Sequence, residues 1–327
     1  MVTRRDLLSG AFGLALAAPQ ATAAPVRASV GSRIYVADQD GRRILVIDPA
    51  RDEVTTAIPL DAGPAALASA PDGSTIYATH PDSGEISVIG VREQKLLQTF
   101  YVGGTPFGLA VAANDELLVG DWNDSVLIRV NRGSGEINGR IAIGRAPALI
   151  VADPARRRLY VAERQDSTIG VIDMDRKERI AALAVGEGPF VLALAPDGGR
   201  LYVANVRGGN VALIDTERLV VAGAFPSGPM PYGLAVADDG KTLLVVNQQA
   251  GTLSLIALNR LEAAVRVKVG RYPEGVVVAP DLGKAYVMNW FSGDISVIDL
   301  AAGLETRRIR TGGGPRAALR IAGDPAL

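Results

Sequence analysis

An all-β fold, a seven-bladed β-propeller with four antiparallel strands per blade, is predicted by three observations. Pro64, Pro106, Pro147, Pro189, Pro231, Pro273 and Pro315 follow one another at intervals of 42, 41, 42, 42, 42 and 42 residues, each behind a glycine in a G-x-x-P or G-P context. A period near 42 holding several short strands is that of a propeller blade, so seven prolines mean seven blades. Each proline also opens the same succession of apolar runs and turns. Finally, the polar residue that ends the second run keeps its own register: Asp38, His80, Asp121, Glu163, Asn205, Asn247 and Asn289 each lie 26 residues before the next framework proline.

Within a repeat the elements come in a fixed order. The first run, such as Gly233 to Ala237, ends in a turn such as Asp238-Asp239-Gly240 or Pro196-Asp197-Gly198. A second run, Leu201 to Ala204, is followed by a polar loop, Gly208-Gly209, and a third run, Val211 to Asp215. Runs of four to six residues rich in Val, Ile, Leu and Tyr, bounded by Gly, Pro, Asp and Asn, are strand signals, and no sustained 3.6-residue stripe competes with them. Asp38 keeps the register although no repeat proline precedes it, so the first blade lacks its opening strand. Residues 33–60 supply three strands, and Arg316 to Ala322 supplies the fourth. Pairing the two ends closes the ring and removes the exposed sheet edges that invite aggregation.

The propeller is expected over residues 33–322, with a short segment at 24–32, a tail at 323–327 and no second domain. Residues 1–23 read as an address. Thr3-Arg4-Arg5-Asp6-Leu7-Leu8 sets twin arginines before a mildly apolar stretch, Leu7 to Ala18, and Ala21-Thr22-Ala23 offers small residues to a signal peptidase. This resembles a twin-arginine export signal and implies a periplasmic product. The apolar stretch is too short for a comfortable membrane span, so no stable membrane insertion is expected.

Composition narrows the chemistry. A formal net charge of -1 gives no reason to expect a nucleic-acid partner. With no cysteine in the chain, disulfides, thiol catalysis, c-type haem attachment and cysteine metal sites are excluded together. With a single histidine, His80, so is any site built on several imidazoles.

The second run reads Tyr202-Val203-Ala204-Asn205 and Tyr286-Val287-Met288-Asn289, with Tyr35-Val36-Ala37-Asp38, Tyr77-Ala78-Thr79-His80 and Tyr160-Val161-Ala162-Glu163 as variants. Together with the Pro-Asp-Gly turn and the Ile-Asp ending at Asp48, Asp173, Asp215 and Asp299, this resembles the YVTN-repeat, or YncE-like, β-propeller family over essentially the whole chain after the leader. Leu118 and Leu244 replace the tyrosine, and Gly90, Asn131 and Ala257 replace the aspartate, which marks both as packing and turn-capping positions. The resemblance implies a fold more than a function. Such propellers serve as surface-layer modules, ligand binders, partners of quinoprotein dehydrogenases and, occasionally, enzymes.

By the same resemblance the first strand of each blade is innermost, and the G-x-x-P loop opens on the same face as the loop after the second strand. That face collects the residue after each proline, Ala65, Phe107, Ala148, Phe190, Tyr232, Glu274 and Arg316, and the seven polar residues. Blades 1 to 4 carry Asp38, His80, Asp121 and Glu163, and blades 5 to 7 carry Asn205, Asn247 and Asn289, so one arc is acidic and the other amide. Trp122 and Trp290 follow the polar residue in blades 3 and 7, roughly opposite each other. Aromatic rings over a polar mouth suit a ligand with apolar faces and hydrogen-bonding edges, such as a cationic amine or a sugar. Arg164, Arg207 and Arg316 lie where they can neutralise the acids.

The competing expectation is that acids and amides at loop starts satisfy backbone N–H groups. No resident cofactor is expected, although Asp38, His80, Asp121 and Glu163 are ligands for a divalent cation if they converge. The sequence thus points to a binding or accessory protein that takes a small molecule or a partner protein at its channel mouth. Two alternatives stand beside it: a hydrolase, lyase or oxidoreductase centred on His80 and Asp121 with Asp38 and Glu163, and a structural surface-layer module.

Overall fold

The structure, a computed structural model, describes residues 31–112, 115–237 and 240–323. The leader, most of the segment at 24–32, the Asp238-Asp239 turn and the last four residues lie outside the described residues. Among the described residues 28 strands form seven four-stranded antiparallel sheets, and the only helix is one 3-10 turn, Pro280–Leu282. Among the described residues no helix is long and apolar enough to cross a membrane.

Blade 4 shows the unit: Pro147–Asp153 innermost, then Arg158–Glu163, Thr168–Asp173 and Glu178–Ala184 at the rim. Blade 1 is the composite. The C-terminal strand Pro315–Ile321 pairs antiparallel with Arg33–Asp38, with Tyr35 opposite Leu319 and Ala37 opposite Ala317. Arg43–Asp48 and Glu53–Pro59 complete that sheet. Successive innermost strands then pack against one another around the ring, and the strand Pro315–Ile321 meets both neighbouring blades. The chain closes by sharing one sheet between its two ends.

The core is divided rather than central. Seven apolar clusters fill the seven blade-to-blade interfaces; Tyr286, Met288 and Ile295 of blade 7, for example, pack on Ile34, Val36 and Leu45 of blade 1. Second and third strands are buried on both faces, which is why they read as near-continuous apolar runs. Outer strands bury about one side chain each, Ile58, Phe100, Ile141, Phe225, Val267 and Ile309 among them, and face water elsewhere.

The two family positions do the work expected of them. Tyr35, Tyr77, Tyr160, Tyr202 and Tyr286 are buried. The Tyr286 hydroxyl crosses from blade 7 to blade 1, donating to Asp52 Oδ1 at 2.5 Å with Pro49 O at 3.1 Å. Asp173 Oδ1 accepts from the N–H groups of Asp175 and Arg176, and Asp215 and Asp299 cap their turns in the same way. Asn131 does likewise for Gly133 and Ser134, so its replacement of aspartate keeps the cap.

Candidate functional site

The framework proline and the polar residue 15 or 16 positions later are cross-strand partners, Pro106 facing Asp121, Pro147 Glu163, Pro189 Asn205, Pro231 Asn247 and Pro273 Asn289, and in the composite blade Pro315 faces Asp38. Proline has no N–H to give to the ladder at this point. The bond is supplied one residue on instead. The N–H groups of Gln39, Trp122, Arg164, Val206, Gln248 and Trp290 donate at 2.8–3.2 Å to the carbonyl just before the proline. Blade 2 departs from this pattern because Pro81 follows His80. Its inner strand shortens to Leu67–Ser69, and Thr79 Oγ1 bonds instead to Ala66 N and Phe107 O.

This geometry sorts the sequence-predicted residues into two groups. Asp38, His80, Asp121, Glu163, Asn205, Asn247 and Asn289 are all at most 2% exposed and hold their polar atoms inside the protein, where Asp38 Oδ1 and Asn247 Oδ1 have no hydrogen-bond partner. Glu163 accepts from Gly144 N at 2.7 Å and Thr168 Oγ1 at 2.6 Å and is paired with Arg179. Asn289 accepts from Gly270 N and donates to Asp294 and Ser296. Asp38 pairs with Arg43 Nε at 2.7 Å, and Asp121 Oδ1 accepts from Asn123 N and Asp124 N. Asn205 lies against Asn210 and Gly186, while Asn247 donates to Ser254 Oγ at 2.9 Å.

Glu163 and Asn289 are clasps that bond the incoming G-x-x-P loop to the hairpin it enters, and in blades 1, 3, 5 and 6 the loop glycines Gly313, Gly104, Gly186 and Gly228 approach Asp38, Asp121, Asn205 and Asn247 as closely. The close approach explains the loop glycine: a Cβ on Gly144 would stand 2.5 Å from the Glu163 carboxyl carbon. The seven side chains do not gather on a common point, and among the described residues no three His, Asp or Glu side chains could hold a metal ion together. Arg43 and Arg179, rather than Arg164 and Arg207, neutralise Asp38 and Glu163, because they project from the neighbouring strands of the same sheet.

His80 is part of the same system. Its Nε2 stands 2.8 Å from Ser87 Oγ, and both residues are buried. Burial holds the imidazole below its ordinary pKa, against the opposing pull of the Gly63 backbone and of Glu85, so the ring is neutral. It is sealed inside blade 2 rather than presented at the mouth.

The second group converges. Phe107 of blade 3 meets Trp122 with centroids 5.1 Å apart and Phe190 of blade 5 at 5.7 Å; Trp122 and Phe190 are 6.4 Å apart, and Phe190 meets Tyr232 of blade 6 at 4.3 Å. Ala148 of blade 4 is small enough to let blades 3 and 5 touch across it. Arg164 lies over Trp122 and Phe190, at 5.6 and 5.4 Å. Arg316 reaches across from blade 1, over Phe107 at 5.5 Å, with Nη2 donating to the Tyr232 hydroxyl and Nη1 to Gln39 Oε1.

Glu274 of blade 7 completes this layer. Its Oε2 is 2.9 Å from Arg316 Nε and its Oε1 accepts from Gln248 Nε2 at 3.0 Å. Burial raises its pKa, with Arg316 and Gln248 pulling the other way. Burial also works against the charge of Arg316, but Glu274 and Tyr232 more than offset it, and the guanidinium ends above its ordinary value. The Tyr232 hydroxyl is raised by burial and then by Glu274. Phe107, Phe190, Tyr232, Glu274 and Arg316 border a cavity of about 180 Å³ whose apolar walls include Leu149, Leu192, Leu234 and Val276.

Trp290 stands apart from the aromatic cluster. Its indole Nε1 is buried beside Gly314 without a hydrogen-bond partner, and Tyr272 and Phe291 form a separate exposed pair near it, 5.6 Å apart. A second hollow of about 190 Å³ lies between blades 3 and 4 on the far face, around Leu118, Leu159 and Met174, away from these polar groups. Sequence reasoning did not single out Gln39 and Gln248. They sit in the same column as Trp122 and Arg164, one residue past the clasp, and that column is the signal that finds them.

A seven-bladed propeller with a buried clasp ring under an aromatic and guanidinium mouth is the class these features define. The model of the YNCE-like beta-propeller family matches residues 119–284, half of the chain, and the protein belongs to that family. A search of curated proteins finds no match. Among solved structures, the chain is similar to hydrazine synthase of Kuenenia stuttgartiensis, at 20% identity and TM-score 0.71 over 81% of this chain and 91% of that one. It is also similar to a functionally unknown protein from Desulfotomaculum acetoxidans, at 16% identity and TM-score 0.78 over 89% and 99%. Dihydro-heme d1 dehydrogenase NirN in complex with DHE aligns at 17% identity and TM-score 0.65 over 85% and 63%. At such identities these likenesses concern the fold alone.

Proposed function

We propose that this protein is an exported binding or accessory protein that holds a small ligand at the mouth of its channel. The observation that carries the reading is the convergence of Phe107, Trp122, Phe190 and Tyr232, from three blades, under the guanidinium groups of Arg164 and Arg316. Large aromatic faces with a few placed polar groups at a concave mouth are the make-up of a small-molecule site. The similarity to NirN, solved in complex with DHE, is compatible with ligand binding by this fold.

As an accessory protein it would serve a quinoprotein dehydrogenase system in the periplasm. The twin-arginine pattern at Arg4-Arg5 and the small residues at Ala21-Thr22-Ala23 support that address. Catalysis by His80 finds no support in the geometry, since the imidazole is closed off from the mouth.

A thermal-shift screen of the purified protein against quinones, aromatic acids, amines, sugars and metals tests the reading, because a ligand that binds the folded state raises Tm with its occupancy. Phe190→Ala should abolish the shift given by a true ligand, whereas His80→Ala should keep it. A ligand whose shift survives Phe190→Ala and Trp122→Ala alike binds elsewhere and overturns the assignment.

A further inference from the structure

Resting on that reading of the mouth, we infer that its ligand is a small aromatic carboxylate, with its ring on the Trp122, Phe190 and Tyr232 faces and its anionic group on Arg164. Hydrogen-bonding capacity left open at the mouth carries this. Arg316 is committed to Glu274, Gln39 and Tyr232. Glu274 is committed to Arg316 and Gln248, so the pair carries no net charge to offer. Arg164 has no ion pair or side-chain hydrogen bond among the described residues, and its guanidinium is already stacked against two rings. Elsewhere on this face, Arg43 has Asp38, Arg145 has Asp166 and Arg179 has Glu163.

The amides add to the bias. A guanidinium only donates, so Gln39 must turn its oxygen to Arg316 and leave its NH₂ free; a carboxylate only accepts, so Gln248 must turn its NH₂ to Glu274. Tyr232 accepts from Arg316 and keeps its O–H to donate. The open groups are therefore the Arg164 guanidinium, the Gln39 NH₂ and the Tyr232 O–H as donors, against Gln248 Oε1 as acceptor. Other exposed charges in the loops of this face, Asp40, Asp124, Glu187 and Arg207, form no ion pair with Arg164 among the described residues.

A planar guanidinium over aromatic faces suits a carboxylate, which it meets with two parallel N–H bonds. The cavity of about 180 Å³ adjoins Arg164 and is lined by Phe107, Phe190, Tyr232, Glu274 and Arg316; it is below the roughly 300 Å³ at which pockets for drug-sized ligands begin, so a ring system entering it from the Phe190 and Tyr232 side is held to one or two fused rings.

Isothermal titration of the full chain with three probes of one skeleton tests this: naphthoate, naphthalenemethanol and naphthylmethylamine. Naphthoate should bind at least about tenfold more tightly than the alcohol, with the amine weakest. Arg164→Gln should abolish the preference for naphthoate over the alcohol. Arg164→Lys should recover part of the difference, and Phe190→Ala should weaken all three. Equal or tighter binding of the alcohol or the amine overturns the carboxylate inference and leaves the mouth as a ligand site. If none of the three binds, the ligand-site reading falls and the inference with it.

Discussion

Replacing Glu163 by alanine separates a clasp from a ligand-binding group. The carboxylate is fully buried, and its removal strands the Gly144 N–H in the interior, at a cost of about 1–3 kcal/mol. It also breaks the pair with Arg179. A fully buried pair broken on one side costs about 3–5 kcal/mol, but the Arg179 side chain is 31% exposed and water recovers much of its solvation, so that contribution falls to roughly 1. The sum is about 3 kcal/mol. With an unfolding entropy of about 2.1 cal/mol/K per residue, a propeller of roughly 290 residues shifts Tm by about 1.6 °C per kcal/mol, so melting should fall by roughly 5 °C. Glu163→Gln keeps the shape and an acceptor for Gly144 and should lose about half as much. Thermal and urea denaturation followed by circular dichroism gives both numbers. A Glu163→Ala protein that melts with the wild type yet no longer binds the ligand of the mouth would refute the clasp and restore the acidic arc as a binding surface.

Three other changes test separate parts of the structure. Tyr286→Phe removes a hydroxyl that bonds to a carboxylate across the blade 7–blade 1 interface and should cost about 1.5–3 kcal/mol in urea denaturation without altering ligand affinity. Glu274 has its pKa raised by burial from an ordinary value of 4.5, so the folded state holds the proton more tightly and the wild type loses stability as pH rises through the window above 4.5. Glu274→Gln should lack that slope; leaving Arg316 without its counter-ion adds an offset that does not vary with pH, so an unchanged slope in urea titrations from pH 4 upward would be the contrary result. His80 is shifted the other way, below 6.5, so stability is lost as pH falls through 6.5, and His80→Gln should flatten the acid side of the same profile.

The fold was legible because each blade repeats its punctuation. Proline at the head of the inner strand and the polar residue 15 or 16 positions on face each other in the sheet, so two spacings in the sequence are two ends of one cross-strand pair. Closure was legible for the same reason, since Asp38 lacks a proline upstream and finds it at Pro315. The site was only half legible. Which face it occupies follows from the repeat, and Phe107, Phe190, Tyr232, Glu274 and Arg316 do meet there. The direction taken by the clasp side chains does not follow from spacing, because it depends on the partner two strands away. A trace of it is present: Ser87, Ser254 and Ser296 lie seven residues after His80, Asn247 and Asn289, while Gly170 at the same offset makes room for the longer Glu163.

That offset explains how one repeat can carry different chemistry around its ring. The clasp must occupy the loop glycine and reach the third strand, but an acid with arginine, an amide with serine or a neutral imidazole with serine all meet the demand. Arg43 and Arg179 cancel the charges of Asp38 and Glu163 locally, and Asp121 spends its carboxylate on the N–H groups of its own turn. The residue after the clasp has its backbone N–H fixed by the proline loop while its side chain is tied to no common partner, Val206 entering the core between blades 4 and 5 and Gln39 and Gln248 bonding Arg316 and Glu274, and the residue after the proline faces the channel. These two columns, Gln39, Trp122, Arg164, Gln248 and Trp290 above Phe107, Phe190, Tyr232, Glu274 and Arg316, are free to differ from blade to blade. Their asymmetry is therefore where selection for a ligand can act: aromatic and cationic on blades 3 to 6, closed by an internally neutralised Arg316–Glu274 pair on blades 1 and 7.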